Sequence, residues 1–222
     1  MVKLWFRLVK TLNWDSSALV TRKAGLGDMQ GVLVLLNSSN SIVWSSNSSR
    51  TVGNPVSQLL DTRNLIVKYR NETNPYNYLW QSFNYPCDTL LPEMKLGWNL
   101  ASGLERYVSS WKSTKDPAQG EFSLWIIHCG LPQLFTMKGE KIQVRGRSWT
   151  GIHLTGYEFR GKRELNPIAG AEFGLNKDEV YYKYTLQKRS VFARYILNPL
   201  GVGELFTWVH QTQSWAFSCR SV

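Results

Sequence analysis

The chain has 222 residues, of which 43% are hydrophobic and 13% aromatic, and its formal net charge is +10. This composition is typical of a packed globular protein and excludes a disordered chain, and the length suits one large domain or two small ones. The positive charge favours acidic partners without choosing among them, and a solvated basic surface is the simpler interpretation.

Short runs of β-forming residues, closed by turn residues, follow one another along the sequence. In chain order, the predicted strands are 31–37, 41–47, 64–69, 78–83, 105–111, 120–127, 132–137, 141–145, 151–159, 179–186, 191–197 and 204–209. Apolar residues alternate in several of them, as at Phe122, Leu124 and Ile126, which predicts one buried face. No window of about 11 or more residues has helical periodicity. The pattern therefore predicts an all-β protein, built as a sandwich, barrel or prism.

Cysteine usage and apolar runs set further limits. Cys87, Cys129 and Cys219 allow at most one internal disulfide bridge, and their spacing does not predict a metal site. Residues 1–14 have apolar positions interrupted by basic ones, so no signal peptide is predicted. No apolar run approaches the roughly 20 residues of a membrane span, so no transmembrane segment is predicted either.

Motifs of catalysis are missing from the sequence. His128, His153 and His210 lack metal-ligand spacing, and no nucleophile elbow, phosphate loop or dinucleotide-binding fingerprint occurs. Cys129 directly follows His128, but neighbouring residues of a strand point to opposite faces, which argues against a thiol–imidazole pair. We therefore expect no enzyme activity, no cofactor and no metal.

Three N-glycosylation sequons begin at Asn37, Asn47 and Asn71. They lie in Asn- and Ser-rich segments that predict turns, which suits the exposed loops of a secreted protein. If the chain enters the endoplasmic reticulum, we expect most of these sequons to be used.

The segment 138–163 is basic and interleaved with aromatic residues. Its candidate surface residues are Arg145, Arg147, Trp149, Tyr157, Arg160, Lys162 and Arg163. They predict either a surface for an acidic partner or a solvated sheet edge, on which Lys and Arg prevent unwanted strand pairing. The sheet edge is the simpler interpretation. No nucleic-acid-binding motif accompanies the charge, so we expect no nucleic acid partner.

From residue 31 to about 217 the sequence resembles, nearly continuously, the ectodomain shared by plant S-locus glycoproteins and G-type (bulb-type) lectin receptor kinases. The stretches that carry this resemblance include LVLLNSSNSIVWSSNSS, LWQSFNYPCDTLLPEMKLGWNL, LERYVSSWKSTKDPAQGEFSLW and LNPLGVGELFTWV. The resemblance implies a partial bulb-type lectin domain of the β-prism II type over 31–97 and a β-rich S-locus glycoprotein domain over 98–222. Residues 1–30 do not align, and the chain is expected to be truncated at both ends.

The resemblance also implies a function. Such ectodomains lie outside the cell or on the outer face of the plasma membrane, and they reach the membrane through segments that this chain lacks. We expect a non-catalytic module that recognises a small secreted protein or a glycan, in recognition of pollen during self-incompatibility or in related cell-surface signalling. A homodimer is compatible with this role. The alternatives are a functional mannose-binding lectin and a basic polyanion or nucleic-acid binder.

Bulb-type lectins bind mannose through Gln, Asp, Asn, Val and Tyr at alternate positions of a strand, so that these side chains project from one face. Aligned on its asparagine, the motif falls here on Leu60, Thr62, Asn64, Ile66 and Lys68. Only the asparagine and an aliphatic residue remain, so most hydrogen bonds to a sugar are lost, together with the discrimination they provide. We therefore predict a structural strand instead of a mannose site.

Two arginines replace glycines of the related sequences. Arg63 stands where relatives have the glycine of Asp-Thr-Gly-Asn-Leu, in a turn that we expect to require positive φ. A residue with a side chain would be strained there. Arg147 replaces a glycine of the segment 146–151 in the same way.

Overall fold

A computed structural model describes residues 32–36, 42–46, 55–127, 132–146, 148–149, 159–160, 168–188 and 190–221. Within these ranges the chain forms 18 strands, two short 3₁₀ turns and no α-helix, which confirms the all-β prediction. The chain divides into two compact units, residues 1–83 and 84–222. The sequence-based limits of the two family domains, 31–97 and 98–222, stay a prediction.

The first unit contains a two-stranded and a three-stranded antiparallel sheet. Its strands are β1 (Val34–Leu36), β2 (Ile42–Ser45), β3 (Pro55–Leu59), β4 (Leu65–Tyr69) and β5 (Trp80–Gln81). β1 pairs with β2, and β4 lies between β3 and β5. The central strand contributes Leu65, Ile66 and Val67 to the core, where Trp80 of β5 is also buried.

The second unit contains three antiparallel sheets. Its strands are β6 (Thr89–Leu90), β7 (Leu96–Asn99), β8 (Leu104–Arg106), β9 (Val108–Trp111), β10 (Gln119–Ile127), β11 (Gln133–Lys138), β12 (Lys141–Arg145), β13 (Phe159–Arg160), β14 (Ile168–Leu175), β15 (Glu179–Leu186), β16 (Ala193–Leu197), β17 (Gly203–Val209) and β18 (Ser214–Ser221). The strand orders are β14-β15-β7-β8, β12-β11-β10-β9 and β13-β18-β17-β16-β6. β10 contacts both β7 and β16, so the three sheets share a core.

Alternating apolar residues form this core. Leu124 and Ile126 of β10 are buried, as their spacing predicts, and Phe122 on the same face is half-buried. In β15 the buried residues Val180 and Tyr184 occupy one face. Amphipathic alternation in the sequence is therefore a reliable guide to the inner faces of these strands.

Some strands differ from the sequence-based prediction. The stretch 78–83 is strand only at Trp80–Gln81 and continues into a 3₁₀ turn, Ser82–Asn84. β3, β6, β7, β14 and β18 were not predicted. In β14 glycines interrupt the pattern, and a Cβ at Gly174 would lie 2.3 Å from the ring of Tyr181, so the ring packs over the space that the glycine leaves. The predicted strand 151–159 lies outside the described residues except at its last position.

A charge network joins β7, β8 and β15. The Arg106 side chain is buried, and its Nη2 lies 3.0 Å from Oε2 of Glu179. The other carboxylate oxygen of Glu179 accepts a hydrogen bond from Lys95, whose Nζ lies 4.0 Å above the centroid of the Tyr181 ring. Burial opposes ionisation of Glu179, but the hydrogen bonds from Lys95 and Arg106 outweigh it and hold the pKa of this carboxyl below its usual range.

Cys87 and Cys219 are both buried free thiols, so these two residues do not bridge each other. Burial, reinforced by the neighbouring Asp88, raises the pKa of Cys87, and burial raises that of Cys219 to about 11. Cys129 lies outside the described residues.

Candidate functional site

The predicted sugar-binding positions lie partly in a turn and partly on β4. The N–H of Arg63 donates to the carbonyl of Leu60 at 2.8 Å, and the N–H of Leu60 donates to the carbonyl of Asn64 at 2.9 Å. Leu60 and Thr62 therefore belong to the β3–β4 turn, and the period-2 spacing of the lectin motif applies only from Leu65 onward.

Asn64 is buried, and both polar atoms of its side chain have partners within the protein. Its Nδ2 donates to Oε1 of Gln81 at 2.9 Å, and its Oδ1 accepts from Oγ of Ser82 and from the N–H of Phe83, both at 3.1 Å. These bonds attach the start of β4 to β5 and the turn that follows. In this position the asparagine organises the backbone of the unit.

The other positions offer little to a sugar. Ile66 is fully buried, and Nζ of Lys68 donates to the carbonyl of Glu72 at 2.8 Å. Thr62 is exposed, and its Oγ1 accepts from the N–H of Asn64 at 3.4 Å. The two positions that retain the motif, Asn64 and Ile66, are therefore both buried.

Arg63 has φ of 75°, which confirms that this turn adopts the left-handed conformation expected of a glycine. Left-handed backbone costs a residue with a Cβ roughly 1–2 kcal/mol. We predict that Arg63→Gly has a free energy of unfolding about 1 kcal/mol above that of Arg63→Ala, because both variants lack the guanidinium and only alanine retains the strain. Urea unfolding measures the difference, and equal stabilities of the two variants would contradict the strain.

Of the three sequons, only Asn71 lies among the described residues; Asn37 and Asn47 do not. Asn71 is exposed in a turn in which the N–H of Glu72 donates to the carbonyl of Tyr69 at 3.0 Å. An exposed turn is accessible to a glycosylating enzyme.

Of the basic candidates of segment 138–163, the described residues Arg145 and Arg160 lie on two different sheets. Arg145 ends β12, an exposed edge strand, and lies 5.0 Å from the ring centroid of Phe135. Trp149 is half-buried near Phe173, with 6.2 Å between ring centroids. Arg160 belongs to β13, the edge of the five-stranded sheet. Arg145 thus lies on a sheet edge, and the function of the basic and aromatic segment stays a prediction. Arg147, Tyr157, Lys162 and Arg163 lie outside the described residues.

A surface that the sequence analysis missed covers the outer face of β16, β17 and β18. We call it the tryptophan–arginine face, and it consists of Arg194, Phe206, Trp208, Trp215, Phe217 and Arg220. The guanidinium of Arg194 lies 4.1 Å from the ring centroid of Trp215, which meets Trp208 edge-on at 5.4 Å. Arg220 lies 5.5 Å from the ring centroid of Phe217. The face combines aromatic rings with cations, and Phe217 is 53% exposed.

Strand pairing explains how this face forms. Phe206 pairs with Phe217 and Trp208 with Trp215, so each pair of rings lies on the same side of the sheet. The opposite side carries buried residues, among them Leu205. The outer residues were missed because the sequence pattern does not distinguish a half-buried aromatic row on the outer side of a sheet from a second buried row.

The described residues contain neither a metal-binding cluster nor a membrane-spanning helix. In that part of the chain no group of three or more His, Cys, Asp and Glu side chains is placed to hold a metal ion. The same residues include no helix long and apolar enough to cross a membrane.

Two protein-family models match the chain. The D-mannose binding lectin model matches residues 14–112, and the S-locus glycoprotein domain model matches residues 145–221. The first match begins within the segment 1–30, and the second contains the tryptophan–arginine face.

The chain is also similar to individual receptor kinases and S-locus glycoproteins. The receptor-like serine/threonine-protein kinase SD1-8 of Arabidopsis thaliana is 34% identical over 221 residues, which cover 96% of this chain and 25% of that protein. The S-locus-specific glycoprotein BS29-2 of Brassica oleracea var. alboglabra is 35% identical over 187 residues, covering 82% of the chain and 42% of the relative. The S-locus-specific glycoprotein S6 of Brassica oleracea is 36% identical over 180 residues, covering 79% and 40%. The chain thus spans less than half the length of these relatives. With its lectin and S-locus glycoprotein domains, it belongs to the family of S-locus glycoproteins and G-type lectin receptor kinases.

Proposed function

We propose that the chain is a non-catalytic extracellular recognition module, which binds a small secreted protein through the tryptophan–arginine face. The observation that carries this proposal is the row of aromatic and arginine side chains on the outer side of a sheet whose inner side is buried. Trp, Tyr and Arg supply most of the binding energy in protein interfaces, and charged lysines and glutamates supply little.

The geometry of Asn64 argues against the mannose-lectin alternative. A sugar hydroxyl would have to displace Gln81, Ser82 or the N–H of Phe83 from the asparagine side chain, and each loss leaves a polar group unpaired. The basic-polyanion alternative is favoured by the net charge of +10 and by the basic segment 138–163, and neither feature selects a particular partner.

The process that we propose is recognition of pollen in self-incompatibility, or a related form of cell-surface signalling. It is supported by relatives that are named S-locus-specific glycoproteins. Because the chain spans only part of those relatives, its ligand and its role in signalling belong to this proposal, as do an extracellular location and a homodimer.

The lectin alternative is tested by secreting the chain from plant cells behind an added signal peptide and applying it to a glycan array and to mannose-agarose. We expect no retention that free mannose removes. Retention that free mannose abolishes would establish the lectin and overturn the structural role of β4. Binding to any polyanion, with affinity that falls steeply as salt rises, would establish the polyanion alternative instead.

The protein-binding face is tested with fractionated small pollen-coat proteins as the probe, in a surface-binding assay. Phe217→Ala is expected to weaken binding about 10-fold, because the most exposed aromatic side chain of the face is removed. The matched control is Ile142→Ala, which removes a large apolar side chain, 44% exposed, from the edge strand β12. Equal loss in both variants, or no loss in the first, would contradict the assignment of the face.

A further inference from the structure

The sequon at Asn71 lies in a turn with an exposed tyrosine at its first position. The hydrogen bond from the N–H of Glu72 to the carbonyl of Tyr69 defines a four-residue turn, with Asn71 at the third position. Tyr69, the last residue of β4, is 39% exposed. A β-turn brings its first and fourth Cα atoms within about 7 Å, and Asn71 lies between these two residues, so a group on Asn71 begins close to the tyrosine.

The residues around this turn are already fixed. The carboxylate of Glu72 accepts hydrogen bonds from the N–H groups of Thr73 and Asn74, at 2.9 Å and 2.7 Å, and from Nδ2 of Asn77 at 3.0 Å. Lys68 donates to the carbonyl of Glu72 from the other side. Ordering a sugar against this turn therefore costs little further backbone entropy.

We propose that the first N-acetylglucosamine of a glycan on Asn71 packs against the ring of Tyr69 and stabilises the first unit. One face of this sugar presents C–H groups, and the face of an aromatic ring carries negative charge, so the two surfaces attract each other and exclude water. The inference rests on the proposed function, because glycosylation requires that the chain enters the secretory pathway.

The other two sequons lack this arrangement in the sequence. The residue two positions before the asparagine is Tyr69 at Asn71, but it is Leu35 at Asn37 and Ser45 at Asn47. The aliphatic residue and the serine have no aromatic face. Glycans at these positions therefore serve as matched controls within the same chain.

Another aromatic ring lies nearby. Tyr76, in the 3₁₀ turn Pro75–Asn77, is 95% exposed and is five residues from the glycosylated asparagine. The fixed turn places the first sugar at Tyr69, so Tyr76→Ala is the control for a sugar that packs elsewhere.

The experiment uses the full chain, expressed behind a signal peptide in a cell line that adds high-mannose glycans. Mass spectrometry of peptides establishes occupancy, and melting temperatures are compared before and after two enzymes. One enzyme trims each glycan to a single N-acetylglucosamine, and the other removes the glycan entirely. We expect the trimmed protein to keep the melting temperature of the intact glycoprotein and the fully deglycosylated protein to melt about 3 °C lower.

Variants test whether the contact between Tyr69 and the first sugar causes this difference in melting temperature. Asn71→Gln should abolish the difference between trimmed and deglycosylated protein, whereas Asn37→Gln and Asn47→Gln should leave it in place. Tyr69→Ala should abolish the difference although Asn71 remains glycosylated, and Tyr76→Ala should not. In an NMR spectrum of the trimmed protein, the N-acetyl methyl resonance should lie upfield because of the Tyr69 ring. In Tyr69→Ala this upfield shift should be lost.

Three results would overturn the inference. They are an Asn71 that carries no glycan, a melting-temperature difference that survives Tyr69→Ala, and a melting-temperature difference that is lost in Tyr76→Ala. Failure of the proposed function looks different, because it appears in the ligand-binding assay. Phe217→Ala should leave the glycan-dependent shift unchanged, and Asn71→Gln should leave the binding of the pollen-coat fraction unchanged.

Discussion

Glu179→Gln is expected to lower the free energy of unfolding by about 2 kcal/mol, because it leaves the buried guanidinium of Arg106 without a counter-charge. The Glu179 side chain is only 18% exposed, so water does little to replace the lost carboxylate. The amide of glutamine fits the same space, and the loss therefore reports the charge and not a cavity. Urea unfolding followed by tryptophan fluorescence measures the change.

Glu172→Gln is the matched control. It removes the same charge from a carboxyl on the neighbouring strand, but this side chain is 48% exposed and contacts the flexible ammonium of Lys183. Exposed ion pairs contribute little, so we expect a change of less than about 0.5 kcal/mol. If the two substitutions were equally costly, the burial of Arg106 would not be the cause.

The same network predicts a dependence on pH. The pKa of Glu179 is lower in the folded protein than in the unfolded chain. A carboxyl of this kind contributes stability above its unfolded pKa, and the contribution is lost as the pH falls through the folded value. The wild-type protein should therefore lose stability on acidification below about pH 4.5. The Glu179→Gln variant should lose less stability over this range. If the stabilities of the variant and the wild-type protein fell in parallel with pH, Glu179 would not be the cause of the pH dependence.

The sequence predicts the strands whose apolar residues alternate, and the structure explains why other strands escape prediction. In β15 the alternation at Val180 and Tyr184 identifies the buried face directly. β7 carries Gly97, where a Cβ would lie 2.0 Å from the carbonyl oxygen of Val180, so close pairing with β15 requires a glycine. A glycine in a sequence indicates a turn as readily as a strand, and only the partner strand distinguishes them.

The candidate site shows the same limit of sequence-based prediction, because it depends on contacts between residues that are distant in the sequence. Matching residues to a lectin motif leaves Asn64 and Ile66 as its remnant, which stays a prediction, and the positive φ expected at Arg63 is found in the structure. It does not reveal that Asn64 is hydrogen-bonded to Gln81 of β5 and to Ser82 and Phe83 after it, because those partners are separated by 17 or more positions in the sequence. The tryptophan–arginine face depends likewise on the pairing of strands, which places Trp208 beside Trp215.

Asn64→Ala is expected to lower the free energy of unfolding by about 3 kcal/mol. The substitution removes three hydrogen bonds at once and leaves the N–H of Phe83 without its acceptor. It also releases Oγ of Ser82, which accepts from the N–H of Leu65 at 2.9 Å. The start of β4 then loses its attachment to β5, and hydrogen exchange at the N–H of Leu65 should accelerate together with the loss of stability.

Gln81→Ala separates the contributions of the two side-chain atoms of Asn64. It removes only the acceptor of Nδ2, so it should cost about 1 kcal/mol and leave the exchange at Leu65 nearly unchanged. If the Asn64 side chain instead served a sugar, Asn64→Ala would abolish mannose binding at little cost in stability. A stability loss without any change in mannose retention assigns the residue to the architecture of the first unit, and leaves ligand recognition to another surface.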